Sequence, residues 1–470
     1  MSVDTRPSET SYPEGEALQA GIRKRNRRGT RWQWAFLSAL FVAVIALLTL
    51  LVTIINDSFG LSAVVIEVSE AELEARYGLT DLESADKEEL IPILEDTLST
   101  NVGRRYEREQ RFLADRLVWE PQGNWDERCA GDEPFEGCSG GARSQADVYA
   151  LVLERVVAPD VEETYTLWQS VMLRDEVEQR LIELNEQRRA AAEAAGELDE
   201  YRDAELEFRS WLSRSFLQRP QSPQPEIAGV RTAILGSLWV VFITVLFSLP
   251  VGVGAAVYLE EYAADTRMNR IIQTNINNLA GVPSIIYGML GLAIFVRLLV
   301  TFTSGAFLEA GPADDALSGR TIISAGLTLG LLVLPLIIIN AQEAVRAVPR
   351  SLREASFGLG ATKWQTVRTH VLPNALPGIL TGAILALARA LGETAPLVVV
   401  GASTAITFDP DGPFSKFTVL PIQIYQWTAR PQDEFRNIAA AAIIVLLILL
   451  FTLNATAILL RNRYSRKAQQ

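Results

Sequence analysis

The sequence predicts an all-α polytopic membrane protein: six transmembrane helices with a large, mostly helical insertion between the first two. Three observations carry that prediction. Hydrophobic side chains make up 49% of the 470 residues, yet they are gathered into blocks rather than spread along the chain. Six blocks, near 34–55, 234–258, 279–300, 321–340, 375–402 and 438–460, approach or exceed the roughly 20 residues that a hydrocarbon core requires. Charge is partitioned as well: region 56–228 carries 39 acidic against 18 basic residues, a net of −21, whereas the whole chain is −13, which leaves +8 for the remainder.

Residues 1–33 are polar and then basic, with Arg23, Lys24, Arg25, Arg27, Arg28 and Arg31 preceding the first block. A basic stretch before an apolar one also suggests a signal peptide. Here the apolar run is too long and no small-residue cleavage site follows, so 34–55 reads as an uncleaved anchor behind a disordered tail, with Trp32 and Trp34 at the interface. Loop 341–374 holds Arg346, Arg350, Arg353, Lys363 and Arg368, and tail 461–470 holds Arg461, Arg463, Arg466 and Lys467. Positive-inside counting therefore places both termini in the cytoplasm and 56–228 outside.

In the external region the expected elements are a short strand at 64–68 and helices around 69–76, 86–98 and 104–118. A Gly/Pro/Asp-rich segment carries the only two cysteines, Cys129 and Cys138. In an oxidising compartment they are a disulfide or a pair of free thiols. From about 160 to 216 the sequence favours helix, with Val177, Leu181 and Leu184 at helical spacing and Gly196 as the break. A hairpin of helices is expected, either as a docking surface for an external partner or as an elaboration without chemistry of its own.

Pro220, Pro223 and Pro225 end that region and lead to the second, more apolar half, 229–460. After the second span come Tyr258-Leu259-Glu260-Glu261-Tyr262 and an amphipathic stretch with Arg267 and Arg270. Pro283, followed by Ser284, lacks a backbone donor near the start of the third span, so a kink or a helix start is expected there, in a segment suited to helix packing.

Several function classes find no support. There is no Gly-x4-Gly-Lys-Ser/Thr loop for nucleotide hydrolysis, no His-Glu-x-x-His, no metal-spaced Cys/His cluster and no intramembrane aspartate for a protease. The single histidine, His370, lies in the basic loop. No cofactor, metal or nucleic acid is expected on this chain, and membrane lipid is its solvent.

Chemistry is left to two stretches. In the first, Glu354-Ala355-Ser356 begins a short helix, Gly358 and Gly360 permit a bend, a second helix starts at Lys363, and Leu372-Pro373 stops it. Two short helices joined this way form either a rigid lever for a soluble partner or a plain amphipathic connector. In the second, Arg389 and Glu393 are four apart and share a helix face, continued backwards by Ala386, Gly382 and Gly378, small residues that permit close helix packing. Placing each charge at mid-membrane costs roughly 2.5–3.5 kcal/mol on insertion scales. The pair either lines an anion pathway or neutralises itself within the helix.

Glu354-Ala355-Ser356-x3-Gly360-x9-His370-x-Leu372-Pro373 resembles the Glu-Ala-Ala loop of ABC-importer permeases, with Ser356 in place of an alanine and His370 in place of an isoleucine. Ala388-Arg389-Ala390-Leu391-Gly392-Glu393-Thr394-Ala395-Pro396-Leu397, Gly281-Val282-Pro283-Ser284-Ile285 and Tyr258-Leu259-x-Glu261-Tyr262 resemble the phosphate-specific PstA family. The region before about 229 is similar to the extra domain of a long subclass of that family. The resemblance implies a six-helix permease of the inner membrane, paired with a second permease, PstC. It further implies two copies of an ATP-using ATPase, PstB, and a periplasmic phosphate-binding protein, PstS. Arg389, Glu393 and Thr394 would then line the substrate pathway. Glu354, Ala355, Ser356, Gly360, Leu372 and Pro373 would meet the ATPase. The rival readings are an importer of sulfate, molybdate or phosphonate, and a membrane sensor.

Overall fold

A computed structural model describes residues 16–65, 70–86, 89–94, 119–121, 140–142, 145–157, 160–196, 201–222, 228–306, 319–402 and 409–468, with positions 68, 198, 224–226 and 406 between them. Cys129, Cys138 and the helix expected at 104–118 lie outside the described residues. The chain divides into two units after Ile55. The first is the body of helix α1 (Glu16–Ser58). This helix begins inside the stretch expected to be a disordered tail, because Glu16 to Arg31 is dominated by strong helix formers that extend the apolar helix N-terminally. Its apolar side chains are exposed on all sides, the pattern of a span facing lipid.

The second unit, from Asn56 onward, opens with β1 (Phe59–Val65), then α2 (Glu70–Tyr77), a hairpin of β2 (Trp119–Pro121) and β3 (Gly140–Ala142), α3 (Gln145–Val152), β4 (Asp160–Thr164), α4 (Leu167–Met172), α5 (Arg174–Ala195), β5 (Glu205–Ser210) and α6 (Arg214–Gln218). Strands β4, β1 and β5 form an antiparallel sheet with β1 in the middle. The order follows composition: β1 reads Phe-Gly-Leu-Ser-Ala-Val-Val, whereas both edges are charged, which discourages pairing with further strands. Gly60 is required because a side chain there would meet the Tyr165 carbonyl. The expected strand at 64–68 thus begins earlier, at Phe59.

The expected helical hairpin has only one helical arm. Its first arm is α5, closed by Gly196 at φ 76°, where glycine tolerates the left-handed region. The return arm is β5. Asn185 holds that return, its Nδ2 donating to Ala204 O at 3.0 Å and its Oδ1 accepting from Ala204 N at 2.8 Å, and the alternating residues of β5 then pair with β1. Long-range pairing overrides a helix-favouring composition.

The remainder is helical: α7 (Arg231–Val257), α8 (Arg267–Leu279), α9 (Ser284–Gly291), α10 (Val300–Thr303), α11 (Ile322–Arg346), α12 (Arg350–Gly358), α13 (Lys363–Thr366), α14 (Leu372–Leu391), α15 (Ala395–Val400), α16 (Leu420–Thr428) and α17 (Asp433–Ala468). Among the described residues five helices are long and apolar enough to cross a membrane, and a sixth span results if α8 and the segment Ser284–Leu298, bent by 108°, count as one. The expected third span therefore starts as a new helix, with Pro283 at its N-cap position. The expected fifth is broken: α14 ends at Leu391 and α15 restarts at Ala395. Helix α11 is the hub. It packs on α7, where Thr244 Oγ1 donates to Gly326 O at 3.1 Å, and on α14, where Gly378 and Gly382 bring the backbone against Ala344 and Asn340.

Candidate functional site

At one end of the helical bundle, α12 and α13 form a compact corner. Gly360 turns the chain at φ 82°, a conformation in which a Cβ is strained. Thr362 then starts α13 through a capping box with Gln365. Ser356 Oγ and Thr366 Oγ1 meet at 2.9 Å in the buried angle between the two helices. The hydroxyl that departs from the alanine of the resembled loop thus joins its two halves. Val367 and Val371 are buried beneath the corner and pack with Ala341, Val345 and Val348 of the α11 end. Glu354, Ala355, His370 and Pro373 are exposed, and Leu372 is half-buried. Phe357, Trp364 and Leu359 are exposed as well, Leu359 at 90%. The result is an apolar outer surface on a base fixed in the core.

Sequence reasoning missed how this corner is fastened. Arg353 donates to Glu261 from Nε at 3.0 Å and from Nη2 at 2.7 Å, and also to the carbonyls of Val345 and Val348. That pair is largely buried, with side-chain exposures of 17% and 9%. Arg346 grips Glu260 with two hydrogen bonds of 2.7 and 2.8 Å, and Lys363 Nζ stands 5.3 Å from the centre of the Tyr262 ring. The signal that could have found this is the acidic pair Glu260-Glu261 in a loop assigned to the same side as the basic 341–374 segment.

The charge pair lies at the other end of α14. Arg389 Nε is 3.5 Å from Glu393 Oε1, with the arginine 48% and the glutamate 21% exposed. Because α14 ends at Leu391, the pair straddles a helix break instead of lying along one continuous face. Thr394 occupies the N-cap position of α15 without making a side-chain cap bond.

The break is met by the segment that begins at Pro283 and Ser284. Tyr287 donates its hydroxyl to Leu279 O at 2.8 Å, closing the 108° bend, and lies within electrostatic reach of Arg389. Gly288 permits the next contact, since a Cβ there would lie 2.6 Å from Pro396 Cα. Two motifs more than a hundred residues apart therefore converge beside one arginine. A guanidinium offers five donors in a planar fork, and among the described residues the contact to Glu393 at 3.5 Å leaves most of that fork available to a planar or tetrahedral oxyanion.

Residues 238–467 match the family described as binding-protein-dependent transport system inner membrane component. The chain is 34% identical over 260 residues to the probable ABC transporter permease protein YqgI of Bacillus subtilis (strain 168), a match covering 52% of this chain and 83% of that one. The chain belongs to this family: it is an ABC-importer permease, a multi-pass subunit of the inner membrane. It is also 35% identical over 259 residues to the phosphate transport system permease protein PstA 1 of Mycobacterium tuberculosis (strain ATCC 25618 / H37Rv), covering 55% of this chain and 77% of that one. Among solved structures, an inward-facing MetNI methionine ABC transporter aligns at 22% identity and a TM-score of 0.40, over 50% of this chain and 95% of that one.

Proposed function

We propose that this chain is a permease subunit of an ATP-driven importer that moves inorganic phosphate into the cell by alternating access. The observation that carries the reading is the half-exposed Arg389–Glu393 pair at the break between α14 and α15, faced by the Pro283–Gly288 segment. Phosphate near neutral pH is a mono- or dianion, which an arginine meets with charge-assisted, bidentate hydrogen bonds. Release requires that binding stay weak. Glu393 beside Arg389 lowers the local positive field, and Thr394 adds a hydroxyl at the same level. High affinity then belongs to an external binding protein of the PstS kind.

In this reading the α12–α13 corner, from Glu354 through Ser356 and Gly360 to Leu372 and Pro373, seats on an ATPase. Leu359 and Trp364 fill its groove, and ATP is consumed by that partner. A second permease of the PstC kind completes the pathway and two PstB-type ATPases drive it. Both termini lie in the cytoplasm and 56–228 lies outside, consistent with the acidic charge of that region.

The test is uptake of labelled phosphate in cells lacking the gene, complemented with wild type, Arg389→Ala or Glu393→Gln, with sulfate and molybdate measured alongside. Arg389→Ala should reduce phosphate uptake at least tenfold while the subunit still inserts and assembles. Normal phosphate uptake in both variants would overturn the role of the pair, and restoration of a different anion by wild type would overturn the substrate.

A further inference from the structure

Helix α4, Leu167–Met172, has two unlike faces. Ser170 points inward: its Oγ accepts from Leu61 N at 2.8 Å and donates to Thr166 O at 2.8 Å. Trp168, Val171 and Met172, spaced as one helical face, are 62%, 62% and 61% exposed. They adjoin the partly exposed Leu173. Three apolar side chains presented together are out of place in a region whose net charge is −21.

The level of this helix is set by its hydrogen bonds. Asn56 is the first polar residue after the apolar run 34–55, and its Oδ1 accepts from Trp168 N at 2.8 Å. The adjacent Asp57 lies within electrostatic reach of Arg436 in the first turn of α17, shortly before the apolar run of that span. Asn56 directly follows an apolar run in the sequence and Arg436 shortly precedes one, and α4 is tied to this polar segment through Asn56 and through β1. A capping box between Thr166 and Gln169 keeps the short helix formed.

We propose that α4 lies in the outer membrane–water interface, with Trp168, Val171 and Met172 inserted into the lipid. Tryptophan concentrates at this depth, and an apolar helix face enters the headgroup–acyl boundary by about 5–10 Å. The surface fits lipid because it is apolar, is hydrogen-bonded to Asn56, the residue that follows the apolar run 34–55 in the sequence, and is bounded by polar Asn56 and Gln169. The inference rests on α1 being a span and is independent of which anion is carried.

The experiment uses the full chain in phosphatidylcholine/phosphatidylglycerol nanodiscs, carrying Cys129→Ser and Cys138→Ser with a nitroxide at Met172→Cys or Val171→Cys. Gln179→Cys, on the exposed surface of α5, is the aqueous control. Collision with oxygen relative to a water-soluble nickel chelate should be at least fivefold higher at 171 and 172 than at 179. A ratio equal to that of the control places α4 in water and overturns the proposal. Shielding from both reagents means that protein covers the face, and overturns it too. A photoreactive residue at 168, with both cysteines kept, should crosslink to lipid. Sidedness is read separately, by an impermeant thiol reagent at Gln179→Cys in intact cells, so a wrong topology is distinguished from a wrong lipid contact.

Discussion

Along α7 and α11 the buried positions include Ser237, Thr244, Ser248, Ser324 and Thr328, with Gly326 and Gly330 taking Ile243 and Phe247 against the backbone. Among the described residues of 70–157, outside the apolar spans, the fully buried side chains include Leu82, Leu90, Ile93, Leu94, Val148 and Val152, and the α12–α13 corner is held by ion pairs. The difference teaches what each solvent rewards. Lipid is as apolar as leucine, so helices in it gain by close backbone approach and small hydroxyl contacts. In water, burying large aliphatic side chains supplies the driving force. Charge pairs fasten what must stay at the surface.

The strongest way to break this comparison is Arg353→Ala. Removing one partner of a buried pair leaves Glu261 uncompensated, and the expected loss is about 3–5 kcal/mol, seen as thermal destabilisation of the purified assembly and loss of ATPase coupling. The double variant Arg353→Gln/Glu261→Gln should recover much of that loss. Arg346→Ala should cost at most about 1 kcal/mol, since its side chain is 61% exposed. Equal effects from the two arginines would show that burial does not set the strength of the fastening.

Glu226 tests the region before α7. Burial pushes its carboxyl from 4.5 up to about 7, against Arg209 nearby, and Glu434 and Asp160 add to the rise. The folded state therefore holds this proton more tightly than the unfolded chain. The sign follows: stability is greatest below about 4.5 and falls as pH climbs through 7, by up to about 3 kcal/mol if the whole shift is expressed. Thermal melts at pH 5 and pH 8 should separate for wild type and converge for Glu226→Gln; an unchanged separation in the variant would assign it to other groups.

Gly382→Leu probes the lipid-facing logic. With Asn340 directly in the way, overpacking should cost about 1–3 kcal/mol and lower the yield of assembled complex, whereas a variant as stable as wild type would mean that α11 and α14 are not tightly locked. A small effect is also expected of Ser356→Ala. It removes one buried hydroxyl contact, while Thr366 keeps its bond to Thr362 O, so about 1 kcal/mol is expected in a thermal melt. A stabilised variant would show that Ser356 does not join α12 to α13.

Much of this was legible because the relevant rules are local. Spans follow from apolar length, the bend at Gly360 from glycine in a short turn, and the helix start after Pro283 from a missing donor. The closing of α5 at Gly196 follows from the one residue without a Cβ. Illegible parts depended on distant partners. Glu205–Ser210 has a helical composition and becomes a strand only because β1 lies beside it. Arg389 and Glu393 read as neighbours along one helix, but Pro396 and Gly288 meet where α14 has already ended.

By itself, then, the sequence determined which segments are long and apolar enough to cross a bilayer, where the charges collect and which two motifs stand out, since each is set by residues within a few turns of one another. Only the tertiary structure decided that Glu260 and Glu261 grip Arg346 and Arg353, that two motifs close around Arg389, and that Trp168 is tied to Asn56. Those outcomes depend on hydrogen bonds, ion pairs and backbone approaches between residues some 85 to 115 positions apart. No local periodicity encodes them.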